Sequence, residues 1–283
     1  MTVLNYRCII GICGIFVLLI ACNGGNSQDY RWLSGSPERT VLGQIEPPPG
    51  YSRLEYDSTS YAGFLRRLPL KPAGSKIYLY NGRLKGRQDV HRAVIDIDIG
   101  NRNLQQCADA VIRMRSEYFY SRGLYDSIAF NFTSGDRASF RKWIEGYRPR
   151  VNGNDVTWVK NAEADSSYEA FREYLRSVFM YAGSYSLEKE LIPVNENCTI
   201  EPGYVFIEGG FPGHAVFVID VCIDRESGKR LFLPAQGFMP AQDIHVLINP
   251  IDNDLSPWYD CDIGDSLITP EWTFERDDLM RFP

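Results

Sequence analysis

The spacing of apolar and polar residues changes several times along the chain, and each change predicts an element. Lys76–Tyr80 reads as a short strand ending at the turn pair Asn81-Gly82. Ala93–Ile99 alternates apolar residues with Asp96 and Asp98, the two-residue period of a half-buried strand, and stops at Gly100-Asn101. From Asn103 the period becomes helical. Leu104, Cys107, Ala108, Val111, Met114, Arg115, Tyr118 and Phe119 recur at steps of three and four, which predicts a helix with Asn103 as N-cap and Gly123 as stop. Ile128–Phe132 predicts a strand ended by Thr133-Ser134-Gly135, followed by a short helical segment through Trp143. A second helix is expected from about Ser167 to Tyr181, with Tyr168, Phe171, Leu175, Val178 and Phe179 inward, and a further turn over Ser186–Leu191.

From Gly203 the pattern turns β-rich. Tyr204–Glu208, His214–Cys222, Arg230–Leu233 and Asp243–Ile248 read as consecutive strands joined by turns containing Gly or Pro. Helices early and neighbouring strands late predict an α+β fold, with an antiparallel sheet and the N-terminal helices packed on it. No internal repeat is present.

The N-terminus follows a different logic. Arg7 precedes an uncharged apolar run, Cys8–Ile20, which has the length of a signal-peptide core and is too short to span a bilayer. Leu19-Ile20-Ala21-Cys22 resembles a bacterial lipobox, which implies acylation of Cys22 after removal of residues 1–21. Residues 22–46, opening Cys-Asn-Gly-Gly-Asn-Ser, are expected to form a flexible tether, and residues 47–283, entered through Pro47-Pro48-Pro49-Gly50, a single domain. The expected location is the cell envelope, held to the membrane by lipid on Cys22. Asn23 lacks the Asp that retains some lipoproteins at the inner membrane, which points to the outer one. Loss of the leader takes the formal charge from −6 to −7 and leaves no basic run, so nucleic acid is not an expected partner.

Beyond Cys22 the cysteines are Cys107, Cys198, Cys222 and Cys261. Their spacing matches no zinc pattern, neither a metal nor another cofactor is expected, and the sequence leaves their disulfide state open. Cys107 stands apart because it falls at the start of the first strong helix, where unpaired amides and the helix dipole favour a thiolate. His214 opens a strong apolar strand directly after Gly209-Gly210-Phe211-Pro212-Gly213, and Gln236 follows the next strand. A thiol, an imidazole and a side-chain amide in this order form a candidate nucleophile, base and orienter. Gln105 or Gln106, with the helix-start amides, supplies candidate oxyanion donors.

Two resemblances rest on these residues. Glu201-Pro-Gly-Tyr-Val-Phe-Ile207, Gly213-His-Ala-Val-Phe-Val-Ile219 and Gln106-Cys-Ala-Asp-Ala-Val111 resemble the corresponding motifs of NlpC/P60-type papain-like cysteine peptidases. Gln106 and Tyr204 stand where that family carries Asp. The resemblance implies hydrolysis of an amide bond in a cell-wall peptide or similar substrate by Cys107, His214 and Gln236. A second likeness covers nearly the whole chain after the leader. Pro47-Pro-Pro-Gly-Tyr51, Phe64-Leu-Arg-Arg-Leu-Pro-Leu-Lys-Pro72, Leu104-Gln-Gln-Cys-Ala-Asp109, Pro212-Gly-His-Ala215 and Met239-Pro-Ala-Gln-Asp-Ile-His245 resemble a lipoprotein family, mainly of Bacteroidota, catalogued as domain of unknown function 4846. That likeness implies a fold and a location, and no activity.

Other candidates are His91 and His245 beside Asp89 and Asp243, the carboxylates Glu208, Asp220 and Glu271, and the aromatic residues Trp143, Trp158, Trp258 and Trp272. A module that binds glycan or peptide, or joins an envelope assembly, without catalysis is the rival expectation.

Overall fold

The computed structural model describes residues 30–195 and 199–283. The expected leader, Cys22 and Cys198 lie outside the described residues. In chain order the strands are β1 (Tyr51–Arg53), β2 (His91–Val94), β3 (Ala129–Asn131), β4 (Arg137–Ser139), β5 (Tyr147–Asn152), β6 (Asp155–Lys160), β7 (Ile192–Pro193), β8 (Val205–Glu208), β9 (His214–Asp224), β10 (Arg230–Gln236), β11 (His245–Leu247), β12 (Tyr259–Asp260), β13 (Ser266–Ile268), β14 (Thr273–Glu275) and β15 (Leu279–Arg281). The α-helices are α1 (Val41–Gln44), α2 (Tyr61–Leu65), α3 (Cys107–Ser121), α4 (Phe140–Ile144), α5 (Tyr168–Tyr181) and α6 (Ser184–Glu188).

Strand β9 organises the molecule. Its eleven residues hold only one ionisable carboxylate before the final Asp224, and the first nine are buried. It pairs with β10 on one side and with β8 and β1 on the other, within an antiparallel sheet of nine strands ordered β2-β11-β10-β9-β8-β15-β7, to which β1 and β12 add. Alternation sends Ala215, Phe217 and Ile219 to the face packed with α3 and α5, and Val216 and Val218 to a second core with Phe206, Phe232 and Phe274. Both faces are therefore covered, which is why the run reads as continuously apolar. Each large side chain buried there contributes roughly 1.5–3 kcal/mol. The α+β expectation is met by this mixed architecture with its large antiparallel sheet.

Several boundaries differ from expectation, for identifiable reasons. Asn103 does not cap the long helix. Its Oδ1 accepts the Ala241 N–H at 2.8 Å, tying the helix entry to the β10–β11 connection, and α3 begins at Cys107. Gln106 is the capping position, and its N–H donates to Asp109 Oδ2 at 3.0 Å. Residues 76–80 make single bridges through Tyr78 and Leu79 instead of a ladder, and Ala93–Ile99 contributes regular pairing only as far as Val94. Residues 30–46, expected within the tether, are packed: Tyr30, Val41 and Ile45 are core residues, and the Tyr30 hydroxyl donates to the Phe64 carbonyl at 3.0 Å. The chain there is polar on average, yet its few apolar residues reach the core.

Gly237, just after β10, marks where the helix meets the sheet. A Cβ on it would lie 2.7 Å from the Gln106 carbonyl oxygen and 3.1 Å from Ala110 Cβ. Gly237→Ala is expected to push the start of α3 off the sheet and to cost about 1–3 kcal/mol, read as a lowered midpoint in thermal or urea denaturation. A midpoint equal to that of the unmodified protein would show that the contact yields freely.

Candidate active site

The N-terminus of α3 brings Cys107 against the first residues of β9. Only 8 % of Cys107 is exposed. Its sulfur is faced by the backbone N–H groups of Ala108, Ala215 and Cys107 itself, which favour a thiolate, but burial and then the carboxylate of Asp109 outweigh them and push the thiol up to about 11. Burial likewise pushes Asp109 up to about 8, opposed by the Gln106 N–H. Asp109 Oδ1 is buried without a partner. At neutral pH the Cys107 thiol therefore holds its proton.

Ala215, whose amide meets the sulfur, is the residue after His214. The His214 ring lies among Phe238, Trp272 and Phe274, at centroid distances of 4.9, 5.3 and 5.8 Å. Its Nε2 is 2.7 Å from Gln236 Oε1 on the neighbouring strand. The expected imidazole–amide pair is thus formed. The expected thiol meets the amide of the next residue, Ala215, whereas the His214 ring stacks on Phe274 of the second core, and no hydrogen bond joins Cys107 to His214 among the described residues. His214 Nδ1 takes no part in the bond to Gln236.

The bonding around Gln236 settles the protons. Its Nε2 is 3.2 Å from His245 Nε2 and 3.1 Å from Glu271 Oε2, and Glu271 Oε1 accepts from Lys85 Nζ at 2.7 Å. His245 Nδ1 lies 2.9 Å from the Asp243 carbonyl, to which it can only donate, so its Nε2 accepts. Two acceptors therefore hold the Gln236 NH2, and Oε1 is left to accept from His214. That places the His214 proton on Nε2 and the lone pair on Nδ1. The whole set is buried: His214 is 2 % exposed, while Gln236 and His245 are fully covered. Burial lowers His214 to about 4, against the Gln236 hydrogen bond, and lowers His245 to about 3, so both rings are neutral at pH 7.

The proposed oxyanion residues differ from one another. Gln105 is buried, its Oε1 accepts from Arg113 Nη1 at 3.0 Å, and its Nε2 has no partner. Gln106 spends its side-chain NH2 on Asn103 Oδ1 at 3.3 Å. Gln105 alone retains an unused buried donor.

Sequence reasoning did not single out Lys85, and it treated His245 and Glu271 as members of other sites. His245 reaches Gln236 because β10 and β11 form an antiparallel pair in which the two residues face each other, a register seen only in the structure. The remaining candidates disperse. Asp220 pairs with Arg53 and Arg66, Trp258 and Trp143 are core, and Glu208 accepts from Trp272 Nε1 at 3.0 Å. His91 approaches His245 edge-on at 6.1 Å, and among the described residues no three His, Cys, Asp or Glu side chains are arranged to hold a metal ion. Cys107, Cys222 and Cys261 are free thiols. No described helix is long and apolar enough to cross a membrane.

His214 at the start of β9 and Gln236 at the end of β10 thus form an imidazole–amide pair, and Cys107 at the start of α3 meets the amide that follows His214. Residues 41–281 match the family model for a domain of unknown function, DUF4846, and the chain belongs to that family. Comparison with curated proteins yields no match, and comparison with solved structures yields none either.

Proposed function

We propose that the protein is a papain-like, NlpC/P60-like thiol hydrolase that cleaves an amide bond in a cell-wall peptide or a similar substrate. The observation that carries this reading is the 2.7 Å His214–Gln236 bond directly beside the amide that faces the Cys107 sulfur. With its proton on Nε2, His214 offers Nδ1 as the base. It takes the thiol proton, the sulfur attacks the carbonyl carbon, and the proton passes on to the departing nitrogen. Water then hydrolyses the thioester. The Cys107 N–H and the unused Gln105 Nε2 are the donors for the developing oxyanion. Because the resting thiol and both imidazoles are neutral, proton transfer accompanies substrate binding and does not precede it.

The same reading keeps the envelope location, with lipid on Cys22 supported by the apolar leader and Leu19-Ile-Ala-Cys22. A second reading, a non-catalytic module for glycan or peptide, has its own support in the nearly closed, strongly protonated Cys107 thiol. Alkylation by iodoacetamide as a function of pH separates the two. A hydrolase is expected to label Cys107 through a limb well below the thiol's own pKa, slowed at least about tenfold in His214→Ala and absent in Cys107→Ala. Labelling with one titration near 11 that is indifferent to His214→Ala would leave the binding module.

A further inference from the structure

Beside the C-terminal half of α3 lies a cavity of about 490 Å³ whose walls include Phe119, Phe130, Phe282 and Pro283 and whose charged side chains are Arg115, Arg137 and Glu190. Arg115 sits eight residues along α3 from Cys107, about 12 Å at the helical rise, so this is a separate place from the candidate active site. Its guanidinium lies against Phe282, Phe119 and Tyr61, at 4.1, 4.9 and 5.7 Å from the ring centroids. Aromatic rings engage the guanidinium, yet its nitrogens have no hydrogen bond and no carboxylate partner among the described residues. Nor are they among the buried polar atoms that lack partners, so solvent reaches them. Arg137 differs, because it is 3.8 Å from Glu190 Oε2, while Glu190 Oε1 accepts from the Asn131 N–H at 2.6 Å. The cavity thus couples one positioned, uncompensated cation to an apolar wall. A guanidinium held by rings and left with free N–H groups is arranged for a planar oxyanion.

We propose that this cavity binds an organic oxyanion, a carboxylate or phosphate carried on an apolar body, through the free N–H groups of Arg115. Three features of the site set the ligand class. The fork of donors selects the oxyanion, the phenylalanine walls select an apolar body, and the cavity volume limits it to a small molecule or the end of a chain.

The test is a titration of purified protein with sodium hexanoate, hexyl phosphate, inorganic phosphate and hexylammonium chloride. It is followed by the Arg115 Nε–H resonance in ¹⁵N NMR and by the unfolding midpoint. Hexanoate or hexyl phosphate is expected to bind with a Kd on the order of 1 mM and to move the Arg115 signal. Whichever of the two binds more tightly identifies the head group. Inorganic phosphate is expected to bind at least about tenfold more weakly than hexyl phosphate, and hexylammonium not at all. Arg115→Gln is expected to lose at least about tenfold in affinity, with Arg115→Lys between the two because it lacks the fork. Equal binding of hexylammonium, an unmoved Arg115 signal, or full affinity in Arg115→Gln would overturn the site. The NMR arm uses unmodified protein and decides the matter even if a variant does not fold.

Discussion

Replacing Asp220 by Ala is expected to lower stability by about 3–5 kcal/mol, the cost of leaving buried charge without its partner. Asp220 lies in the middle of β9 with its side chain fully covered. Its Oδ2 accepts from Arg53 Nε at 2.7 Å, and its Oδ1 accepts from Arg66 Nε at 3.0 Å, from Arg66 Nη2, and from the Val221 N–H at 2.9 Å. The two arginines are themselves tied down. Arg66 Nη1 donates to the Leu54 carbonyl at 2.7 Å and Arg53 Nη2 donates to the Ile45 carbonyl. The carboxylate thus fastens residues 45–66 to the central strand, and its loss strands two guanidinium groups that are barely exposed. For a chain of this size the cost corresponds to a fall of roughly 10 °C in Tm. Asp220→Asn is expected to lose most of the same stability, because the amide keeps one acceptor oxygen and gives up the charge. Thermal denaturation of both variants is the measurement, and a fall of no more than about 2 °C in each would mean that the arginines are hydrated in place.

That ion cluster also shows where sequence reading succeeds and where it stops. The apolar run from His214 to Cys222 and the helical stripe from Leu104 to Phe119 are legible because burial imposes their periods locally. The order cysteine, histidine, glutamine is legible because each residue sits at the end of an element, Cys107 at the start of α3 and His214 and Gln236 at neighbouring ends of two central strands. Asp220 within the apolar run gives no hint of its partners, since Arg53 and Arg66 lie more than 150 residues away and pair with it only after folding. The segment 30–46 reads as tether because its contacts are likewise made at long range, Tyr30 with Phe64 and Glu46 with Trp258. The β5–β6 hairpin passes unnoticed because most of its residues are partly or fully exposed and carry no strong alternation, although Asn152-Gly153 marks its turn. The last strand, β15, closes on β8 from the end of the chain, a pairing that no local pattern announces. Lys85 and Glu271 join the site for the same reason, each arriving from a different loop.

Gln236→Glu changes almost no volume and is expected to be among the most damaging substitutions in the molecule at neutral pH. The present amide has one oxygen facing a donor and one NH2 facing two acceptors, Glu271 Oε2 and His245 Nε2. A carboxylate there keeps the bond from His214 and turns the other two contacts into oxygen against carboxylate and oxygen against a lone pair, with Lys85 left to balance two charges. The expected cost is about 3–5 kcal/mol at pH 8. Its pH dependence follows from the protons. In the unmodified protein His214 and His245 are held near 4 and 3, below the usual 6.5, so the fold resists protonation. The stability they allow is fully present above 6.5 and is lost as pH falls through that window. In Gln236→Glu the cheapest remedy is a proton on His245 Nε2, which restores a donor between the ring and the new carboxylate. A group whose folded pKa is raised is stabilising below its unfolded pKa and loses that effect as pH rises through the folded one. The deficit of the variant relative to the unmodified protein is therefore expected to shrink from pH 8 to pH 5, measured as paired urea midpoints. Alkylation of Cys107 supplies the second readout, since a glutamate that still accepts from His214 Nε2 leaves Nδ1 as the base, whereas Gln236→Leu frees the ring to change tautomer. A deficit that stays constant or widens towards pH 5 would mean that the amide orientation, and with it the assignment of Nδ1 as the base, is wrong.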